Sequence, residues 1–157
     1  MKALILTYSY SGNTRQIADI IQSLTGADMI GIEPVQPYPP NYNACVKQAK
    51  QEVSSGFEPK IKPLAVNLDD YDTFFIGTPV WWYTFSPPIR AVLSAYGNWK
   101  GKIVYPFATH GGGIGSTFED FRRFCGGAEM KPLLDVYFKG STHHKANSEI
   151  KSWIDNA

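Results

Sequence analysis

The sequence predicts an α/β protein whose parallel sheet is covered by helices on both faces. Two observations lead to this fold class. Short apolar runs alternate five times with segments whose apolar residues recur at helical spacing. The apolar runs are also hydrophobic throughout, which is typical of strands buried on both faces. With 157 residues, 43% of them hydrophobic, we expect a single domain over residues 1–157 that buries a full core.

The first half of the chain contains two strands and two helices. The first strand is predicted at 2–8 and the second at 29–32. The first helix is predicted at 13–25, where the residues sharing one face are Ile17, Ile20, Ile21 and Leu24. The second is predicted at 42–53, with a face formed by Cys45, Val46, Ala49 and Val53. Between them an extended segment is imposed by Pro34, Pro37, Pro39 and Pro40.

The second half continues the alternation with three strands, predicted at 73–77, 102–108 and 133–138. Pro87 and Pro88 open the third helix, a position that proline tolerates. The last two helices are marked by Phe118, Phe121 and Cys125, and by Ile150, Trp153 and Ile154. Pro106 falls inside a strand that should be central, where a missing N–H is costly, so we expect a bulge or a strand end there.

Charge and cysteine content exclude several classes of function. The 15 Lys and Arg nearly cancel the 14 Asp and Glu, for a formal charge of +1, so we expect neither nucleic acid nor a membrane as partner. Cys45 and Cys125 lie far apart without metal-type spacing, and we expect buried thiols in a reducing compartment. The apolar run after Met1 is too short for a signal peptide, and a cytoplasmic location is expected.

The turn after the first strand is the strongest functional signal. It is built from Ser9, Tyr10, Ser11, Gly12, Asn13 and Thr14. Such a strand-to-helix turn directs free backbone N–H groups and the positive end of a helix at one point, where a phosphate can bind. Because the turn contains neither lysine nor the G-x-G-x-x-G pattern, a phosphomonoester suits it better than a nucleoside triphosphate or a dinucleotide.

Two further loops leave carboxyl ends of predicted strands, the edge of an open α/β sheet where ligands bind. The second loop contains Thr78, Pro79, Val80, Trp81, Trp82 and Tyr83, and its clustered aromatic rings need a planar partner. The third contains Thr109, His110, Gly111, Gly112 and Gly113, whose nearly bare backbone can approach a ligand closely. Together the three loops predict a site for a flat heterocycle with a phosphate tail, and flavin mononucleotide (FMN) fits that description.

These three segments resemble those of the flavodoxins, and the resemblance covers essentially the whole chain. The sequence is most similar to a bacterial flavodoxin-like group with a Pro-x-Trp-Trp flavin loop. The resemblance implies a three-layer sandwich with a five-stranded parallel sheet in order 2-1-3-4-5 and non-covalent FMN. It also implies that Ser9 and the residues 11–14 hold the phosphate, that 78–83 contact the isoalloxazine ring, and that 109–113 border its pyrimidine edge.

Structural explanations compete with each of these assignments. The first turn could be an ordinary helix cap, since Ser, Asn and Thr favour such positions. Trp81 and Trp82 could be core or dimer-interface aromatics, and His110 could be a proton donor or an ordinary loop residue.

Two other classes of protein with this architecture are excluded by residue type. A phosphorylation receiver needs acidic residues at the positions of Tyr8, Ser9 and Thr78, and a small tyrosine phosphatase needs a cysteine in the first loop.

Two classes of function remain open at this point. One is an electron carrier that exchanges electrons with a redox partner protein. The other is an NAD(P)H-dependent quinone-type oxidoreductase that uses FMN, reduces a small acceptor and forms a homodimer. A third interpretation is an interaction protein that retains the fold and uses the aromatic loop to bind a protein.

Overall fold

A predominantly parallel sheet of eight strands forms the centre of the molecule. The computed structural model describes residues 2–156. The strands are β1 (Ala3–Thr7), β2 (Asp28–Gly31), β3 (Thr73–Trp81), β4 (Thr84–Phe85), β5 (Ile103–His110), β6 (Glu129–Met130), β7 (Leu134–Lys139) and β8 (Thr142–His143). The predicted order of five parallel strands is confirmed in β2-β1-β3-β5-β7. Three two-residue strands, β4, β6 and β8, add to the five because segments this short leave no sequence pattern.

Five helices cover the sheet, as predicted. They are α1 (Asn13–Thr25), α2 (Tyr42–Ser55), α3 (Pro87–Tyr96), α4 (Thr117–Phe124) and α5 (Asn147–Asn156), with a short 3-10 helix at Leu68–Asp70. Alternate residues of β1 point to opposite faces: Leu4 and Leu6 join the core beneath α2, α3 and α4, whereas Ile5 joins the core beneath α1 and α5. This alternation gives the three layers.

Pro106 lies inside β5 and pairs with Ile76 of β3, so the expected bulge or strand end is absent at this position. The carbonyl of Val104 accepts from the N–H of Lys131 (2.8 Å) on the opposite side of β5. Because backbone groups alternate in direction along a strand, the nitrogen of Pro106 faces that same side. It meets the gap between the end of β6 and the start of β7, where no ladder hydrogen bond is required of it.

The strand register brings the three loops to one edge of the sheet. Thr7 pairs with Gly77, and Pro79 pairs with Thr109, so β1, β3 and β5 end side by side. The turn after β1, the segment at the end of β3 and the glycine-rich loop after β5 therefore adjoin. Within residues 2–156, no helix has the length and apolar character needed to cross a membrane.

Candidate functional site

The turn between β1 and α1 is organised by Ser9. Its Oγ accepts hydrogen bonds from the backbone N–H groups of Gly12 (3.1 Å) and Arg15 (3.3 Å). Gly12 stands at the N-cap of α1 with φ of 100°, a conformation that favours glycine. Since the Ser9 hydroxyl accepts both bonds, its own hydrogen remains free to donate outward.

Four backbone N–H groups of this turn are left over. Those of Tyr10, Ser11, Asn13 and Thr14 meet no acceptor within residues 2–156. They lie at the N-terminus of the 13-residue helix α1, where the helix dipole adds positive potential. Arg15 forms an exposed ion pair with Asp19 (2.8 Å) along the helix. The donors that this turn could offer to an anion are therefore backbone N–H groups and a hydroxyl.

The second loop is a hairpin instead of an open connection. β3 continues beyond the predicted strand end to Trp81, and the chain returns as β4, so that Trp81 pairs with Thr84. Trp82 and Tyr83 form the two-residue turn with φ of 51° and 71°. Positive φ at both central residues marks a type I′ turn, which normally selects Asn-Gly. Two bulky aromatic residues thus occupy a strained backbone conformation at the cavity.

Trp81 is held by three tyrosine rings. Tyr8, Tyr10 and Tyr38 pack edge-on against its indole at centroid distances of 5.6, 5.8 and 4.9 Å. The Tyr10 hydroxyl also donates to the carbonyl of Pro39 (2.5 Å). The proline-rich segment therefore supports the site, because Tyr38 and Pro39 fix the orientation of Trp81 and Tyr10.

Trp82 points the other way, onto α2. Its Nε1–H donates to the carbonyl of Val46 (2.9 Å), and the ammonium of Lys50 lies 5.2 Å from its ring centroid. The indole remains 37% exposed, and the neighbouring Tyr83 is 72% exposed. These two rings form the rim of the cavity, whereas Trp81 lies deeper.

His110 anchors the glycine-rich loop. Its Nδ1 accepts from the backbone N–H of Gly112 (3.2 Å), so its Nε2 carries the proton and donates to the Asp135 carboxylate. Both ring nitrogens are thereby engaged in fixing the loop after β5. This geometry supports the interpretation of His110 as a loop residue that positions the Gly111 and Gly112 backbone.

A cavity of about 720 Å³ lies between the hairpin, the glycine-rich loop and α2. This volume falls within the range of small-molecule sites. Nine predicted residues line it: Tyr10, Val80, Trp81, Trp82, Tyr83, His110, Gly111, Gly112 and Gly113. Five other lining residues were not predicted from the sequence: Tyr42, Cys45, Val46, Ala49 and Gly115. Three of these belong to the apolar face of α2, whose helical spacing was visible in the sequence but indicated only a core position.

The remaining predicted residues lie beside the cavity. Ser9, Ser11, Gly12 and Asn13 form the adjoining anion turn, where the Asn13 side chain donates to the carbonyl of Gly140 (2.9 Å). Thr78 is buried and Pro79 half-buried at the hairpin base, and the Thr78 hydroxyl accepts from the backbone N–H of Ser86 (2.9 Å) at the start of α3. Thr14 and Thr109 share a buried hydrogen bond between their Oγ1 atoms (2.8 Å), which ties the first turn to the end of β5.

The cavity carries no formal charge on its walls. Among the described residues that line it, none is Asp, Glu, Lys or Arg. Burial raises the pKa of the Cys45 thiol, a hydrogen bond with Tyr10 opposes that rise, and the charge of Glu52 adds to it. Burial also raises the pKa of Tyr10. Both groups are neutral at physiological pH, so the cavity suits an uncharged planar ring while the adjoining turn suits an anion.

Across residues 2–156 there is no group of three or more His, Cys, Asp or Glu that could hold a metal ion. Cys45 and Cys125 are buried free thiols, as predicted. Burial raises the pKa of the Cys125 thiol to about 12, which makes it unreactive in the folded protein.

The chain belongs to the flavodoxin family, whose sequence profile matches residues 2–157. Among solved structures it is similar to a protein described as a flavoprotein from Bacteroides eggerthii, with 28% identity, a TM-score of 0.83, and coverage of 98% of this chain and 96% of that chain. No curated protein matches the sequence.

Two further structures share the fold at lower identity. A flavoprotein from Lactobacillus acidophilus, solved in complex with FMN, is 23% identical with a TM-score of 0.78 and coverage of 98% of both chains. The two-electron reduced flavodoxin of Megasphaera elsdenii is 18% identical with a TM-score of 0.60 and coverage of 99% of both chains.

Proposed function

We propose that this protein binds FMN non-covalently and transfers electrons through it. The observation that carries the proposal is the pairing of an anion-binding turn with a neutral aromatic cavity at one edge of the sheet. FMN has a phosphate and a planar ring joined by a short chain, which matches both parts. The FMN complex of the Lactobacillus acidophilus flavoprotein, which shares the fold, adds support.

The residues of this chain fit the phosphate end of FMN. The unpaired N–H groups of Tyr10, Ser11, Asn13 and Thr14 would donate to phosphate oxygens, and the free hydrogen of the Ser9 hydroxyl would add a fifth donor. The N-terminus of α1 favours the negative charge. In this role the turn binds the cofactor and fixes the direction in which its ring enters the cavity.

The residues around the cavity fit the ring. Trp81 and the rim residues Trp82 and Tyr83 would offer aromatic faces, while the Gly111 and Gly112 backbone would approach the polar edge of the ring. The bound flavin supplies the redox chemistry. The protein shields it from water, orients it and, through walls that carry no positive charge, disfavours an added negative charge on the ring.

The first test is a titration of the apoprotein with FMN and, in parallel, with riboflavin, which lacks the phosphate. Quenching of flavin fluorescence gives both dissociation constants. Because each charge-assisted hydrogen bond contributes about 1.5–3 kcal/mol, we expect FMN to bind at least about 100-fold more tightly than riboflavin. Equal affinities would contradict the phosphate assignment, and failure of both ligands to bind would contradict the cofactor itself.

The variant Ser9→Ala sharpens this test. It removes the acceptor of two N–H groups and one outward donor, so we expect FMN affinity to fall about tenfold while riboflavin affinity stays unchanged. Ser23→Ala, an exposed serine further along α1, is the matched control and should change neither. If Ser9→Ala lowers the affinities for FMN and riboflavin equally, the substitution acts through the fold and not through the phosphate contact.

The electron-carrier role is favoured by the exposed rim. Trp82 and Tyr83 leave the cavity mouth at the protein surface, where the edge of a bound ring can approach a partner protein. A second candidate, an NAD(P)H-dependent oxidoreductase of quinone-type acceptors, is favoured by a different observation. The apolar face of α2, represented in the cavity lining by Cys45, Val46 and Ala49, extends the cavity beyond the three predicted loops and offers a wall for a second planar reactant.

An anaerobic experiment separates the two candidates. The FMN-loaded protein is mixed with NADH or NADPH, and the absorbance of the oxidised flavin is followed with and without a quinone. Rapid bleaching that turns over with quinone identifies the oxidoreductase. Reduction by dithionite without bleaching by either nicotinamide identifies a carrier whose electron donor is another protein.

A further inference from the structure

The turn at Trp82 and Tyr83 is held from outside the hairpin by the start of α4. The Tyr83 carbonyl accepts a hydrogen bond from the Ser116 backbone N–H (2.7 Å), and the Ser116 Oγ lies 3.1 Å from the same carbonyl oxygen. Both groups belong to a single residue at the N-cap of α4. The peptide that follows Tyr83 is therefore fixed in direction by a neighbouring element.

The Asp120 carboxylate provides a second hydrogen-bonded connection between Ser116 and the hairpin. Its Oδ2 accepts from the Ser116 hydroxyl (2.9 Å) and from the hydroxyl of Thr84 (2.5 Å), the residue that pairs with Trp81. Its Oδ1 accepts from Arg123 (3.1 Å). The Asp120 side chain is only 18% exposed, so this carboxylate is held between the helix and the hairpin.

Gly115 completes the contact by its lack of a side chain. A Cβ at this position would lie 2.3 Å from the Tyr83 carbonyl oxygen and 2.6 Å from the Tyr83 Cα. Its φ of 55° is also in the left-handed region. The close approach that brings Ser116 to the Tyr83 carbonyl thus requires glycine here.

Two bulky aromatic residues in a type I′ turn need such support, because the intrinsic preference of the sequence is for other conformations. We infer that Ser116 and Asp120, with Gly115 allowing their approach, are positioning residues that hold the Trp82–Tyr83 turn ready to receive the flavin ring. Neither Ser116 nor Asp120 lines the cavity; they act through Tyr83 and Thr84. This inference rests on the proposed FMN site.

The test is a double-mutant cycle between Asp120→Ala and Tyr83→Gly, with FMN affinity of the apoprotein as the measurement. If Asp120 acts by holding the turn, Asp120→Ala alone weakens FMN binding about tenfold. In the Tyr83→Gly background the same substitution costs less than about threefold, because glycine adopts positive φ unaided. Ser116→Ala, which retains the hydrogen bond of the backbone N–H, should give a smaller loss of FMN affinity. This variant replaces Asp120→Ala in the cycle if Asp120→Ala folds poorly.

A second measurement does not depend on FMN. Hydrogen exchange of the Ser116 amide in the apoprotein reports directly on its bond to the Tyr83 carbonyl, and Asp120→Ala should accelerate it. Glu119→Ala, the exposed acidic neighbour on α4, is the control of equal charge change and should alter neither affinity nor exchange.

Two results would overturn the inference: equal losses of FMN affinity in both backgrounds, or unchanged affinity and Ser116 exchange in Asp120→Ala. These results differ from a wild-type protein that fails to bind FMN, which would contradict the proposed function while leaving the exchange measurement as a test of the contact.

Discussion

At the scale of single residues, the hydroxyl pair of Thr14 and Thr109 joins two of the three loops. Their side chains are 1% and 4% exposed, and the Oγ1 atoms lie 2.8 Å apart. One hydroxyl donates to the other, so the pair keeps one hydrogen that a ligand could accept. The sequence resemblance places Thr14 at the phosphate, and the structure adds a connection from α1 to the end of β5.

This pair gives a prediction about stability. Thr14→Val should lower the free energy of unfolding by about 1–3 kcal/mol, because it leaves the buried Thr109 hydroxyl without its partner. Thr109→Val should have a similar effect. The double variant should be close to wild type in stability, since two apolar groups of the same shape then face each other.

Urea unfolding of the four proteins measures the coupling. Additive losses in the double variant would contradict a direct bond between the two hydroxyls. FMN titration of the same proteins then separates the structural contribution of Thr14 from any contribution to phosphate binding.

At the scale of elements, the hairpin of β3 and β4 is where sequence and structure differ most. The segment 78–83 predicted a loop at the end of a strand, but the strand continues through it and turns back. The turn could not be recognised because Trp82 and Tyr83 replace the Asn-Gly signal that such turns normally carry. A conformation imposed by contacts from another element, here Ser116 of α4, leaves no local pattern in the chain.

Other elements were predictable because local and tertiary preferences agree. β1 and α1 follow directly from an apolar run and a helical face, and Pro87 and Pro88 open α3 where proline is tolerated. The α2 wall of the cavity was predictable only in part. Its periodicity indicated a buried face, but whether a buried face meets core or cavity depends on what stands opposite, which the sequence does not encode locally.

The strain in the hairpin can be measured by comparing Tyr83→Gly with Tyr83→Ala. Both remove a side chain that is 72% exposed, so little packing is lost in either. Only glycine accepts a φ of 71° without a steric penalty. We expect the free energy of unfolding of the glycine variant to exceed that of the alanine variant by about 1 kcal/mol.

Both variants should bind FMN more weakly than wild type, since each lacks the Tyr83 ring at the rim. Chemical denaturation and flavin titration on the same samples give the two quantities. Equal stability of the two variants would mean that the turn is not strained at this residue.

At the scale of the whole molecule, charge is distributed so that the cavity is neutral and the surface nearly so. The formal charge of +1 leaves no strong field to steer a partner, and the anion turn depends on backbone groups instead of lysines. The fold also raises the pKa values of thiol and phenol groups. The pKa of Cys125 is raised by burial from 9.0 to about 12, and that of Tyr96 is raised from 10.0 to about 12 by burial and by its hydrogen bond to Asp69.

These raised pKa values predict that stability falls at alkaline pH. Below about pH 9 the Cys125 thiol is protonated in both the folded and the unfolded state, so its contribution to folding stability is fully present. Between pH 9 and 12 the unfolded chain releases protons that the folded protein retains, so unfolding becomes more favourable with each increment of pH.

Urea unfolding at about pH 8 and about pH 10.5 should show a loss of about 1–3 kcal/mol in the free energy of unfolding at the higher pH. Cys125→Ala lowers stability at both pH values by leaving a small cavity. It should also reduce the difference between them, because Cys45, Tyr96 and the other phenols with raised pKa values are then the groups that remain to titrate. A pH dependence identical to wild type in Cys125→Ala would show that this buried thiol does not couple folding to proton release.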